Sequence, residues 1–129
     1  MIDIESKVYT PVAKALRDAG ATVKGVYVNA PSKFPFVSIT ESDNYSAEMD
    51  TSDTEKFSVI MYEVNVYSND ANRKKTECKK LMSICSDVFY KLNFTRISCL
   101  PVPNLEDASI YRMTARFRAL TDGNYIYRR

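Results

Sequence analysis

The chain contains no histidine and no tryptophan, and only three of its 129 residues are glycine. Without histidine it cannot build a Ser-His-Asp or Cys-His nucleophilic site, and most zinc sites are excluded as well. Gly20, Gly25 and Gly123 are too few and too widely spaced to form a glycine-rich phosphate-binding loop. We therefore expect a protein that is not an enzyme and that has no catalytic residues, no metal site and no cofactor.

Cysteine is also scarce, because the chain has only Cys78, Cys85 and Cys99. Cys78 and Cys85 are seven residues apart, which on a helix places them roughly 10 Å apart along the axis, beyond the reach of a disulfide. We expect these cysteines to act as small buried apolar side chains in a reducing compartment.

Long apolar runs are absent, because no segment approaches the roughly 20 apolar residues of a membrane span. The first five residues lack the basic start and apolar run of a signal peptide, so we expect synthesis in the cytoplasm without a membrane partner. The length predicts one domain, residues 1–129. The formal net charge of +2 gives little reason to expect nucleic-acid binding as the main activity.

The stretch from Phe57 to Leu92 predicts a long strand that leads directly into a long amphipathic helix. One face of the strand is apolar and the other becomes polar at Glu63 and Asn65. The apolar face carries Ile60, Tyr62, Val64 and Val66. Asn69 or Asp70 is the predicted N-cap of the helix. Its apolar stripe consists of Cys78, Leu81, Met82, Cys85, Val88, Phe89 and Leu92.

The first twenty residues predict a second amphipathic helix that ends at Gly20. Thr10-Pro11 leaves two alternatives: one helix bent near Pro11, or a short turn followed by a helix from Pro11 to Ala19 with Thr10 as its cap. Val23 to Val28 and Phe34 to Thr40 predict strands. Ser42 to Lys56 predicts a mobile acidic insertion between strands, at about 42–56.

Three more strands are predicted after the long helix, at Phe94–Leu100, Ala108–Leu120 and Asn124–Tyr127, the last following a type I′ turn at Asp122-Gly123. The order is therefore helix, three strands, helix, three strands. This order predicts an α+β two-layer sandwich. A mixed, mostly antiparallel sheet of five to six strands packs against the long amphipathic helix and the N-terminal helix.

Two clusters of charged residues are weak candidates for a functional site. Glu106 and Asp107 are adjacent carboxylates, as in a general acid/base pair, but no apolar pocket is evident around them. The basic run from Arg73 to Lys80 could contact phosphates, although such a run is usually a solvated helix face.

A row of arginines on the Ala108–Leu120 strand is more informative: Arg112, Arg116 and Arg118. These side chains either lie on a solvated face and pair with a carboxylate of the same sheet, such as Glu63, or they meet another subunit. The second alternative fits the charge distribution. Residues 41–55 contain six acids and no basic residue, and the rest of the chain has ten acids against eighteen basic residues, a net charge of +8.

Such a separation of charge suits head-to-tail assembly, in which an acidic segment of one subunit meets a basic face of the next. The predicted subunit interface consists of Arg112, Arg116, Arg118, Asp43, Glu48, Asp50, Asp53 and Glu55.

The order of these segments resembles the tail-terminator (tail-completion) proteins of long-tailed bacteriophages, a family also grouped with small minor capsid proteins. The resemblance covers most of the chain and consists of patterns of residue type and order. Its carriers are the N-terminal helix, the strand entry Phe34–Ile39, the acidic insertion, the strand Tyr62–Ser68 leading into the helix, the segment Ile110–Phe117 and the ending Asp122–Tyr127.

The resemblance implies a structural virion protein that forms a homo-oligomeric ring, commonly hexameric, on the growing end of the tail tube. The ring stops tube polymerisation and forms the head–tail joining surface. The implied partners are other copies of the chain, the tail tube protein and the head–tail connector protein, while genome DNA only passes through the lumen. The implied location is the head-proximal end of the virion tail, after synthesis in the cytoplasm of a bacterial host.

Alternatives of other classes remain. One is a different connector or stopper component of the head–tail joint. Another is a small nucleic-acid-binding module that uses Arg73 to Lys80 together with the arginine row.

Overall fold

A computed structural model describes residues 1–28, 31–49, 55–103 and 107–128. The elements are α1 (Glu5–Asp18), β1 (Thr22–Lys24), β2 (Phe36–Met49), β3 (Glu55–Ser68), α2 (Lys74–Lys91), β4 (Thr95–Val102), β5 (Tyr111–Thr121) and β6 (Ile126–Arg128). The predicted order of helix, three strands, helix, three strands is confirmed.

The six strands form one sheet in the order β1-β2-β3-β5-β4, and β6 pairs with the last residues of β5. β1 runs parallel to β2, and the other pairs are antiparallel. The predicted α+β class with a mixed, mostly antiparallel sheet of up to six strands is confirmed.

Both helices cover the same face of the sheet and share one core with it. The predicted apolar face of β3 is buried there, and so are five residues of the predicted stripe on α2; Val88 and Leu92 pack at its margin. At the centre, Phe89 stacks on Phe117 with ring centroids 4.1 Å apart and meets Phe94 edge-on at 5.2 Å. Offset and edge-on pairs of this kind add to the free energy gained by apolar burial.

α1 is a single helix that passes through Pro11, so the alternative of a separate helix starting at Pro11 with Thr10 as its cap is wrong. Pro11 lacks a backbone N–H, and the rest of the helix offsets this loss by burying its apolar stripe. The predicted end at Gly20 is confirmed: φ is +94° there, and the N–H groups of Gly20 and Ala21 donate to Arg17 and Leu16. These two bonds form the Schellman motif, which favours glycine at this position.

The regular part of α2 begins later than predicted, at Lys74, although Asp70 makes the hydrogen bonds of the predicted N-cap. Asp70 Oδ1 accepts from the N–H groups of Asn72 and Arg73, and α2 starts at Lys74. At its other end the non-glycine Asn93 has φ +67°. Phe94 then donates its N–H to Phe89 in the same Schellman arrangement.

The largest correction concerns the segment predicted as an acidic insertion at about 42–56. β2 continues as far as Met49, and β3 begins at Glu55, so most of this segment is an antiparallel extension of the two strands. Pairing with β3 satisfies the backbone of a stretch whose Ser, Asp and Asn residues are poor strand formers. We call residues 42–56 the acidic hairpin; residues 50–54 lie outside the described part of the chain.

Two other boundaries also differ. β1 covers only Thr22–Lys24, so the strand predicted as far as Val28 is too long. The connection after β5 spans four residues, because Thr121 pairs with Ile126. Only Gly123 has a positive φ in that loop, so it is not a type I′ turn; Asp122 Oδ1 shapes it by accepting from the N–H groups of Asn124 and Tyr125.

Candidate functional site

The arginine row lies on the face of the sheet that the helices leave uncovered. We call it the outer face; its centre is formed by alternate residues of β3 and β5. The strand register pairs Met61 with Arg118, Glu63 with Arg116, Asn65 with Thr114, and Tyr67 with Arg112. The alternation predicted for β5 is confirmed, because Met113, Ala115, Phe117 and Ala119 are buried on the helix side.

Arg112 is held by a network inside the sheet. Asn65 Oδ1 accepts hydrogen bonds from Arg112 Nε at 3.0 Å, Arg112 Nη2 at 2.9 Å and Thr114 Oγ1 at 2.6 Å. The Arg112 guanidinium also lies over the ring of Tyr67, 5.5 Å from its centroid. Burial raises the pKa of the Tyr67 phenol, and the Arg112 charge partly opposes that rise. Arg112 therefore has a fixed position.

Arg116 is more exposed and less firmly held. Its Nη2 lies 3.5 Å from Glu63 Oε1, and 55% of its side-chain surface is accessible, against 27% for Glu63. An ion pair this long and this exposed contributes about 0–1 kcal/mol to folding. Glu63 therefore leaves Arg116 largely available to another acceptor.

Arg118 occupies the next position in the row, between Met61 on β3 and Thr95 on β4. Its Nε is buried but has no hydrogen-bond acceptor within the described part of the chain. A buried guanidinium donor without an acceptor costs free energy. Arg118 therefore contributes a positive charge to the row, but its buried Nε is not itself accessible to an outside acceptor.

A groove of about 220 Å³ lies over the Arg112 and Arg116 part of the row. It is lined by Glu63, Ser98, Leu100, Val102, Arg112, Thr114 and Arg116. Two guanidinium groups and one carboxylate face it, so its formal charge is positive. β4 supplies the apolar wall, and β3 and β5 supply the charged floor.

The acidic half of the predicted interface is only partly described. Asp43 is exposed on β2, in register with Met61. Glu48 and Glu55 are placed by their backbone near the end of the acidic hairpin, and Asp50 and Asp53 lie outside the described residues. A sixth acid, Glu41, faces the helix side, where burial raises its pKa, with smaller contributions from Asp3 and Glu5.

The structure brings the three arginines together on one face but does not pair them with Asp43 within the subunit. Among the described side chains, the outer-face arginines form one ion pair, the one between Arg116 and Glu63. Pairing with Glu63 was the alternative that the sequence left open, and it applies to Arg116. It does not apply to Arg112 or Arg118.

The other charged candidates are elsewhere. Asp107 accepts hydrogen bonds from the backbone and side chain of Ser109, which lower its pKa, and Glu106 lies outside the described residues. Arg73, just before α2, and Lys75, Lys79 and Lys80 on α2 are exposed on the helix side, across the sheet from the arginine row. Within residues 1–28, 31–49, 55–103 and 107–128, no three His, Cys, Asp or Glu side chains lie close enough to hold a metal ion.

Asn65 and Thr114 are functional candidates that the sequence did not single out. Both are buried on the outer face, and both fix the position of Arg112. The only sequence signal was the polar interruption at Asn65 in an otherwise apolar strand, which also fits a solvated position. Their cross-strand register became known only with the structure.

Of the two helices in the described part of the chain, neither combines the length and apolar composition needed to cross a membrane. A scan against protein-family models and a search of curated proteins found no match for this chain.

Proposed function

We propose that this chain is a structural subunit of a bacteriophage tail, forming a ring that caps the head-proximal end of the tail tube. The ring stops tube polymerisation and provides the surface that joins the head. The proposal rests on the resemblance in segment order and on one structural observation. That observation is a sheet face that the helices leave uncovered and that carries the exposed Arg116, on the same subunit as a segment rich in acids.

A closed ring needs a heterologous interface, in which two different patches of the same subunit are complementary. The outer face supplies a positive patch, because Arg116 is mostly exposed and is held only by a 3.5 Å contact with Glu63. Residues 41–55, which contain six acids and no basic residue, supply the negative charge, and Asp43 is exposed on β2. Because Asp43 and the outer-face arginines do not pair within the subunit, both patches stay available for other copies.

The proposed partners follow from this role: other copies of the chain, the tail tube protein and the head–tail connector protein, with genome DNA passing through the lumen. The rival role of a nucleic-acid-binding module is less well supported. Its two basic elements, the α2 run and the arginine row, lie on opposite sides of the molecule and do not form one phosphate-binding surface.

The test measures the length of tail tubes assembled with and without this chain. Tubes formed in its presence should stop at a defined length, and electron microscopy should show a ring at one end. The double variant Arg116→Glu/Arg118→Glu should lose both effects, because it reverses the positive patch. Arg112 is left unchanged, since its bonds to Asn65 also support the sheet.

The matched control is Lys75→Glu/Lys79→Glu, which changes the net charge by the same amount on the exposed side of α2. This control should cap tubes like the parent chain, and thermal melting should confirm that both variants fold. Tubes of uncontrolled length in the presence of the folded parent chain would refute the capping role. Equal loss in both variants would refute the role of the arginine face.

A further inference from the structure

The groove on the outer face has the chemistry of a carboxylate-binding site. Arg112 and Arg116 line it from the same face of β5, four residues apart, with Thr114 at the position between them. Guanidinium groups bind carboxylates through two parallel N–H···O bonds, in a geometry that lysine does not reproduce. The groove therefore selects a planar anionic group.

The buried part of the site fixes one guanidinium in advance. Asn65 is 1% exposed, and its side-chain oxygen accepts hydrogen bonds from three donors, two of which belong to Arg112. Arg112 Nη1 makes no hydrogen bond with any described residue, so its donors are available. Because the side chain is already ordered by Asn65 and Tyr67, binding through Nη1 costs little additional conformational entropy.

We propose that this groove binds a carboxylate side chain from the acidic hairpin of a second copy of the chain. This inference rests on the proposed ring, and it names the contact between subunits that closes the ring. On binding, the incoming carboxylate takes donors from Arg112 and Arg116, and it replaces the 3.5 Å contact between Arg116 and Glu63.

The geometry explains why the occupant comes from another copy. Glu55 lies eight residues before Glu63 on β3, a separation of roughly 26 Å at about 3.3 Å per residue. Glu48 pairs with Phe57 near the same end of the hairpin. The backbone positions of Glu48 and Glu55 therefore lie far from their own groove, and the groove that we propose they reach is on a neighbouring subunit. Asp43 is nearer, but it lies across β3 from the row and forms no ion pair with it.

The sharpest test mixes two complementary variants. The groove variant carries Arg112→Gln/Arg116→Gln and keeps its hairpin. The hairpin variant carries Asp43→Asn, Glu48→Gln, Asp50→Asn, Asp53→Asn and Glu55→Gln and keeps its groove. Analytical ultracentrifugation follows each alone and in an equimolar mixture, at concentrations where the parent chain associates in solution or on tail tubes.

Each variant alone should associate roughly 10- to 100-fold more weakly than the parent chain, as expected when one partner of a bound charge pair is removed. The mixture should form a one-to-one heterodimer and nothing larger, because only one intact groove–hairpin contact remains in each pair. The control for charge compares two further mixtures. One contains the groove variant and the parent chain. The other contains the groove variant and a Lys75→Gln/Lys79→Gln variant of the parent chain, and the two mixtures should associate equally.

A milder substitution tests the positioning role of Asn65 without removing charge. Arg112→Lys keeps the positive charge but loses the two-point grip on Asn65, and it should weaken association about tenfold or more. Arg73→Lys, at an exposed position before α2 on the helix side of the sheet, should leave association within about threefold of the parent. Equal effects of the two lysine variants would overturn the groove as the binding site.

The outcomes separate the groove from the capping role. If the parent chain associates but the mixture stays monomeric, the groove proposal is wrong and the ring remains. A parent chain that stays monomeric everywhere, including on the tubes it caps, overturns the groove proposal, since no second copy is then bound. A third outcome is that inorganic phosphate or duplex DNA binds the groove tightly while the hairpin variant still associates like the parent chain. The occupant would then be another anion, and the groove proposal would be wrong. Tubes of uncontrolled length refute the capping role independently.

Discussion

Asn65 shows how a single buried amide can organise an exposed surface. Its carbonyl oxygen receives three hydrogen bonds, which is more than its two lone pairs would accept in ideal geometry. The arrangement is stable because two of the donors come from one guanidinium and are charge-assisted. An apolar residue at position 65 would leave Arg112 and Thr114 without this acceptor, so the site depends on a residue that does not itself face the groove.

The thiol of Cys78 should be unreactive in the folded protein. Its thiol is fully buried, with Sγ 3.7 Å from the carbonyl oxygen of Val66 and 3.5 Å from that of Tyr111. Burial raises the pKa of this thiol from 9.0 to about 12, and the nearby Glu77 adds to the rise. A thiol that stays protonated and shielded from solvent does not react with alkylating agents.

We predict that the free energy of unfolding falls as the pH rises from about 9 towards 12. Below pH 9 the thiol is protonated in both states, so its contribution is fully present. Above pH 9 the unfolded chain loses this proton while the folded chain keeps it, which favours unfolding. Urea unfolding at several pH values measures the slope.

Cys78→Ala should flatten this slope without removing it, because burial also raises the pKa values of Cys85, Tyr62 and Tyr67. Alkylation with iodoacetamide at neutral pH offers an independent check, in which Cys99, which is only partly buried, should react before Cys78. Rapid alkylation of Cys78 in the folded chain would contradict the burial on which both expectations rest.

At the scale of elements, the fold depends on the contact between α2 and the middle of the sheet. Phe89 meets Phe117 of β5, Phe94 and Tyr62 of β3, and it has no exposed surface. We predict that Phe89→Ala lowers the free energy of unfolding by about 3–5 kcal/mol, because it opens a cavity among rings that cannot collapse to fill it.

The adjacent Tyr90 provides a matched control. It is 64% exposed and contacts the Arg128 guanidinium 4.1 Å from its ring centroid. Tyr90→Ala should therefore cost only about 0.5–1 kcal/mol, the value of an exposed cation–π contact. Chemical denaturation measures both variants. Similar losses in the two would show that the aromatic cluster does not dominate the core.

The sequence predicted these elements where periodicity was strong and failed where pairing overrode local preference. The apolar faces of α1, α2, β3 and β5 were correct because burial imposes their periods. The extension of β2 from Ser42 to Met49 could not be predicted from the sequence, because only the hydrogen bonds to β3 hold its polar residues in a strand. The same holds for β1, whose three residues depend on pairing with β2.

β4 shows features that disfavour contact with another chain through this edge of the sheet. It is an outermost strand of the sheet, and Pro101 sits in its ladder opposite Met113. Proline has no N–H, and in a paired edge strand its nitrogen faces away from the neighbouring strand. The edge is further distorted by a bulge between Arg96 and Ser98. Both features disfavour the addition of a strand from another chain.

At the scale of the molecule, the sequence predicted part of the candidate site. The charge counts identified the acidic segment and the arginine row, since both are visible as runs or alternations in the chain. The groove could not be predicted, because it forms where β3, β5 and β4 come into register and brings Glu63, Ser98 and Arg116 together from distant parts of the sequence. Register between distant strands leaves no local pattern.

The distribution of basic residues over two opposite sides also predicts the behaviour towards DNA. Arg112 and Arg116 are partly engaged by Asn65 and Glu63, and the α2 lysines lie across the sheet from them. We expect affinity for duplex DNA no tighter than about 10⁻⁶ M at physiological salt, with a salt dependence that corresponds to no more than about two phosphates. Such weak binding is what the proposed ring requires, because DNA would have to move through its lumen.

Fluorescence anisotropy of a labelled duplex at several salt concentrations measures both quantities. The variants Lys75→Glu/Lys79→Glu and Arg116→Glu/Arg118→Glu should each remove only part of the residual binding, because each lies on one side of the molecule. The slope of the logarithm of the binding constant against the logarithm of the salt concentration is about −0.9 for each phosphate contacted. A slope that corresponds to six or more phosphates, and that one of these variants abolishes, would show a single extended phosphate-binding surface. That surface would identify the chain as a nucleic-acid-binding module, and the ring would lose its physical basis, since the arginines would serve DNA instead of a neighbouring subunit.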